Sequence, residues 1–213
     1  GRYLLWDESA DSLLLYGDMQ TVTAGTSNFV LGVNAGNSIA SGGNYNVAIG
    51  DEAGTAITTG DNSTFIGYAA GDATTTANDN TAVGKSALGT NITSTGSTAV
   101  GLNALALATN GPNTAVGKDA LASAADTYDN TAVGRDALKL TTTGIRNAAL
   151  GDKTLDANTT GGYNSAFGAY ALGANTTASN NTAVGYAALV ANTTGAENTA
   201  VGAYAMDATT TGA

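Results

Sequence analysis

The sequence predicts an all-β protein: a parallel β-solenoid, or β-roll, of about eleven 17-residue coils behind a short β-hairpin. Three observations lead there. First, a string close to Asn-Thr-Ala-Val-Gly returns eleven times, closing at Gly32, Gly50, Gly67, Gly84, Gly101, Gly117, Gly134, Gly151, Gly168, Gly185 and Gly202. The spacing is 17 residues apart from one step of 18 and one of 16, and so short and strict a period marks coils stacked along one axis. Second, only 11% of the 213 residues are charged, against about 25% in an average globular chain, and small Thr, Asn, Ser, Gly and Ala take their place. Third, the Ala-Leu segments between glycine turns are about four residues long, too short to nucleate a helix.

Residues 1–25 lie outside the beat. Tyr3-Leu4-Leu5-Trp6 and Leu13-Leu14-Leu15-Tyr16 flank a polar stretch, Asp7 to Ser12, which reads as a β-hairpin. A lone hairpin is unstable in water, so this one is expected to pack on copies of itself or to cap the first coil. The repeats then occupy residues 26–213. Their C-terminal end falls within a repeat, which reads as a fragment of something longer.

Within the repeat, positions are counted from the closing glycine as zero. Position −1 is apolar in every coil, from Leu31 through Val83, Val133 and Phe167 to Val201. Position +3 is alanine except at Thr154, and +4 is Gly36, Gly54 and Gly71, then leucine in seven coils, then Met206. These three columns are the expected core. Position −4 is asparagine or serine throughout (Asn28, Asn46, Ser63, Asn80, Ser97, then asparagine), the pattern of side-chain amides stacked in a ladder. Threonines crowd +8 and +9, as in Thr159-Thr160 and Thr193-Thr194, and mark a second turn. Each coil therefore reads as two short strands and two turns. Position −2 is also apolar, from Val30, Ala48 and Phe65 to Ala200. Alternation turns it away from −1, so it is expected outside, covered by another chain. Assembly with another chain follows.

Charge and composition exclude several classes of function. A net charge of −10 does not suit nucleic acid or an anionic membrane surface, and no run of apolar residues approaches a membrane span. With no histidine and no cysteine, common nucleophile–base pairs and most zinc sites are excluded. No catalytic residue, cofactor site or metal site is expected, and the chain is not read as an enzyme. Asp51-Glu52 and Asp126 with Asp129 sit at turns, where solvated carboxylates are ordinary. The sequons beginning at Asn62, Asn91, Asn158, Asn175 and Asn192 read as by-products of the Asn and Thr columns. Lys85, Lys118 and Arg135 at +1 share an edge with Asp119, Asp136, Asp152 and Lys153, which suggests cross-coil ion pairs of modest value.

Tyr45-Asn46-Val47-Ala48-Ile49-Gly50 resembles the signature hexapeptide of trimeric autotransporter adhesin heads. Asn80-Thr81-Ala82-Val83-Gly84 and its later copies are similar to repeats of phage tail-fibre and tail-fibre-like adhesive proteins. The stretch from Leu5-Trp6-Asp7 to Leu13 resembles segments that precede such repeats in virion fibres. The resemblance implies a left-handed parallel β-roll assembled as a homotrimer, extracellular, on a virion tail fibre or a bacterial surface, supporting attachment to a target cell. The beat is longer than the adhesin-head coil, implying a wider coil or a longer turn. Tyr170, Tyr186 and Tyr204, at +1 and +2 of the last three coils, are the candidate glycan contacts, set against packing on a neighbouring chain or turn. Two other functions compete: an ice-binding solenoid, weakened because the threonines fall at turns, and a polysaccharide-degrading tailspike.

Overall fold

The computed structural model describes residues 3–7, 12–16 and 23–211. Two strands, Tyr3–Asp7 and Ser12–Tyr16, pair antiparallel with Tyr3 opposite Tyr16 and Asp7 opposite Ser12. The turn between them lies outside the described residues. From Phe29 onward every coil contributes one three-residue strand, from Phe29–Leu31 to Thr199–Val201. These eleven strands form one parallel sheet in sequence order. Register is constant: Thr81 pairs with Thr98, Ala82 with Ala99 and Val83 with Val100. At a strand spacing of about 4.8 Å the stack is a rod about 50 Å long.

The expected second strand does not form. The backbone at +2 and +4 is left-handed instead, with φ of +53° at Ser86 and +55° at Leu88. The segment still joins coil to coil, because Leu88 N–H donates to the Ala104 carbonyl at 2.9 Å and Leu105 N–H to that of Ala120 at 3.0 Å. A non-glycine residue in this conformation costs on the order of 1–2 kcal/mol. Burying a leucine returns about 1.5–3 kcal/mol, so burial outweighs the strain where leucine fills the core. Seven leucines at +4, from Leu88 to Leu189, are fully buried.

The core differs from expectation on one face. Ala48, Phe65, Ala82, Ala99, Ala115, Ala132, Ala149, Ala166 and Ala183 at −2 are 0% exposed within the single chain. The −1 column, expected inside, faces out: eight of its members are 36% (Val133) to 70% (Val201) exposed. The cause is volume. The coil is narrow, and the alanine at −2 meets the +3 alanine and +4 leucine across it, all of them buried in one continuous cluster. The early coils make the same point. An added Cβ at Gly71 would meet the Phe65 ring at 2.5 Å, and at Gly54 the Ile57 Cδ1 at 2.6 Å. Glycine stands at +4 where the neighbouring core residues are large, Val30 beside Gly36 and Phe65 beside Gly54 and Gly71, and leucine takes the position from Leu88 onward.

The closing glycine is required on two counts. At Gly84 φ is +133°, and a Cβ there would sit 2.6 Å from the Gly101 carbonyl oxygen of the next coil. No L side chain fits that backbone.

The asparagine ladder forms as expected. From Asn46 to Asn181 each −4 amide oxygen accepts from the backbone N–H of the −4 residue one coil on, as Asn130 does from Asn147 at 2.9 Å. Its NH2 donates to the carbonyl fourteen residues ahead, Asn130 to Gly144 at 2.9 Å. A second buried column at +7 escaped the sequence reading. Asn158, Asn175 and Asn192 lie there at 0% exposure, with Asn175 Nδ2 donating to Asn158 Oδ1 at 2.9 Å and Asn192 Nδ2 to Asn175 Oδ1 at 3.3 Å. Asn91 occupies the same position. Four of the five sequons thus begin at buried, hydrogen-bonded asparagines, in line with their reading as by-products; Asn62 alone is exposed.

Candidate functional site

The strand face that points to solvent is built from two columns. Thr64, Thr81, Thr98, Thr114 and Thr131 stand at −3 in paired register, as do Thr182 and Thr199. Beside them runs the −1 column of valine, isoleucine, leucine and phenylalanine, half-buried or exposed in every coil. The result is a continuous apolar stripe flanked by a row of hydroxyls. The +8 threonines do something else. Thr58, Thr159, Thr176 and Thr193 donate their hydroxyls to the +8 carbonyl of the next coil at 2.9–3.2 Å, stitching the second turn.

The tyrosine candidates meet on one edge. Tyr170, Tyr186 and Tyr204 are 37%, 47% and 58% exposed. Adjacent rings pack edge to face, with centroids 5.8 Å apart between Tyr170 and Tyr186 and 5.2 Å between Tyr186 and Tyr204. Such contacts are favourable aromatic geometry, so each ring props its neighbour and leaves the outer surface open. The neighbouring Tyr186 phenol raises the pKa of Tyr204. The rings thus pack on one another, and this does not bury them.

Of the expected cross-coil ion pairs, Arg135 with Asp152 forms, while Lys118 pairs with Asp119 beside it. The Arg135 guanidinium grips Asp152 with Nε and Nη2, both at 2.8 Å, and this hydrogen-bonded pairing lowers the Asp152 pKa. Lys139 bridges Asp136 at 2.9 Å and Asp119 at 4.0 Å. Lys85 lies 5.8 Å from the Tyr68 ring centroid. Asp51 and Glu52 accept hydrogen bonds from the Val33 N–H and the Asn34 side chain. These acidic groups serve the turns.

One cluster was not singled out in the sequence. The Arg146 guanidinium sits 5.6 Å from the Tyr128 ring and 5.5 Å from that of Tyr163, donates to the Tyr163 hydroxyl at 2.8 Å, and faces Asp129 at 3.5 Å. Its signal was positional: Asp129, Arg146 and Tyr163 share the −5 column and Tyr128 precedes it. Its members are exposed. Among the described residues no group of acidic side chains could hold a metal ion and no helix is long and apolar enough to cross a membrane.

Comparison with protein-family models, curated proteins and solved structures returns no match to this chain.

Proposed function

We propose that this chain is a structural and adhesive segment of an extracellular trimeric fibre, a shaft that supports attachment of a virion or a bacterium to its target cell. One observation carries the assembly: the unbroken outward apolar column at −1. Scattered apolar side chains are normal on a surface. A stripe about 50 Å long and about 10 Å wide presents about 500 Å² per chain, toward the upper end of the largest apolar patch on a typical soluble monomer, and patches of that size are often functional. Three parallel copies, each turning this face to a shared axis, would cover it. The proposed interface is thus the −1 column and not the −2 column. The interface leaves the tyrosine edge as the proposed glycan contact, where three chains present three copies and multivalency strengthens a weak site.

Native mass spectrometry of the protein at micromolar concentration tests the assembly. A trimer that Val133→Asp splits into folded monomers supports it; a stable wild-type monomer overturns it. A glycan array probed with wild type and with the combined Tyr170→Ala, Tyr186→Ala and Tyr204→Ala variant tests the edge. Wild-type binding lost in the variant supports that role, and binding that survives removes it.

A second reading is favoured by the −3 column. Threonines on a flat strand face, in constant register beside aliphatic groups, are the kind of regular surface an ice-binding solenoid needs, and the turn threonines had not offered one. The two readings require opposite states of one face, covered or open. A monomer that inhibits ice recrystallisation, and loses that activity in Thr98→Lys, would decide for the second.

A further inference from the structure

We propose that Asn110 is a site of spontaneous chemical modification, deamidated by the backbone of its own neighbour. It stands in the only Asn-Gly pair of the sequence, and asparagine is among the thermolabile residues. Glycine matters because it has no Cβ to shield its amide nitrogen from the preceding side chain. Three structural observations make this pair reactive in the folded state. Asn110 is exposed. The Gly111 carbonyl is held by the Ser94 and Ser97 hydroxyls, at 2.5 and 3.2 Å. The Gly111 N–H, the nucleophile, donates no hydrogen bond among the described residues. Most other asparagines, such as Asn113 and Asn130, are buried with their amides engaged in the ladders.

The chemistry needs only water. The Gly111 amide nitrogen loses its proton to hydroxide and attacks Asn110 Cγ, forming a C–N bond. The Cγ–Nδ2 bond breaks as water protonates the leaving nitrogen, so that ammonia departs, hydroxide is regenerated and a cyclic imide remains. One water then opens the imide at either carbonyl, producing aspartate or isoaspartate. The consequence is specific to this coil. Asn110 Nδ2 donates to Asp126 Oδ1 at 2.8 Å across to the next coil. After reaction that contact becomes a meeting of two carboxylates, and like charges facing each other across neighbouring strands or coils repel. The step falls in the only 16-residue coil of the stack, Gly101 to Gly117, so it loosens the seam where the beat is already broken.

Incubating the intact folded protein in mildly alkaline buffer, followed by isoelectric focusing and peptide mass mapping, tests this. The expected result is one acidic satellite band, mapped to the Asn110 peptide and appearing before any change at the exposed Asn37 or Asn62. The band should be lost in Asn110→Gln. A urea-unfolded control reports the intrinsic rate of the sequence. If the unfolded chain converts at Asn110 and the folded chain does not, or if the band persists in Asn110→Gln, the proposal is overturned.

Discussion

Replacing Asn130 by leucine isolates what the amide ladder contributes. The side chain is buried and takes part in four hydrogen bonds. It accepts from Asn147 N–H at 2.9 Å and Asn147 Nδ2 at 3.1 Å, and donates to Gly144 O at 2.9 Å and Asn113 Oδ1 at 3.2 Å. Two of the partners keep other bonds: Asn147 Nδ2 still reaches Gly161 O, and Asn113 Oδ1 still accepts from Asn130 N–H. Two do not. The Asn147 N–H and the Gly144 carbonyl are left without a partner, at about 1–3 kcal/mol each. Burying the leucine offsets about 1.5–3 kcal/mol of this. At the centre of both ranges the net loss is about 2 kcal/mol, a fall in Tm on the order of 4–8 °C.

The molecule carries its own control. Ser97 occupies the same column, accepting from Asn113 N–H at 3.4 Å and donating to Gly111 O at 3.2 Å, so serine partly replaces both amide functions. Asn130→Ser should therefore cost less than Asn130→Leu. Asn110→Leu, on the surface, should stay within about 0.5 kcal/mol. Because a stacked array need not unfold as one unit, native-state hydrogen exchange at the Asn147 amide is the sharper assay, and it should accelerate in Asn130→Leu. Equal Tm shifts in all three variants, with the Asn147 amide still protected, would refute the ladder and leave the column a turn preference.

Three further outcomes follow from the geometry. Gly84→Ala forces a side chain onto a backbone at φ +133° and should cost about 3 kcal/mol or more, read by thermal melting; a shift within error would mean the turn relaxes freely. Ala132→Asp should unfold its coil, because an unpaired carboxylate would enter the core, whereas Val133→Asp should keep the monomer's circular dichroism and change only association. Burial raises the Asp156 pKa, with its own backbone N–H as the largest opposing influence. The folded state therefore holds that proton more tightly, so the destabilisation from the charged form is present at neutral pH and fades as pH falls through the raised pKa. Asp156→Asn should stabilise slightly at neutral pH, by less than about 1 kcal/mol at this half-exposed position, and lose its advantage in acid; an advantage that grows in acid would reverse the sign.

Much of the fold was legible because stacking makes each position a column. Every −4 residue must meet the −4 residues above and below it, so the amide ladder is written as an unbroken run of asparagine and serine. The closing glycine is equally plain, since its backbone admits nothing else. The +7 column was harder to see. Ile39, Ile57, Thr74, Asn91, Ala108 and Asn158 all occupy it, and they share burial without sharing chemistry. The second strand was over-read because leucine is rare at positive φ, and nothing local to Ala-Leu announces a left-handed turn. Only the large return from burying that leucine explains why the chain accepts it.

The inversion of the two strand faces shows where pattern stops and volume begins. Alternation along Thr-Ala-Val places −2 opposite −1 and −3, and it is silent on which side is inside. Hydrophobicity favours neither choice clearly, since both −2 and −1 are apolar. What decides is the space left by the rest of the coil. Alanine at +3 and leucine at +4 already occupy the interior, and only a residue as small as alanine fits against both. The exception obeys the same constraint: Phe65 lies at −2, fully buried, and both Gly54 and Gly71 have given up their side chains beside its ring. Valine at −1 is therefore outside because the core has no room for it. A column kept apolar through eleven coils without a place in the core calls for another explanation, and contact with a second copy of the chain supplies one.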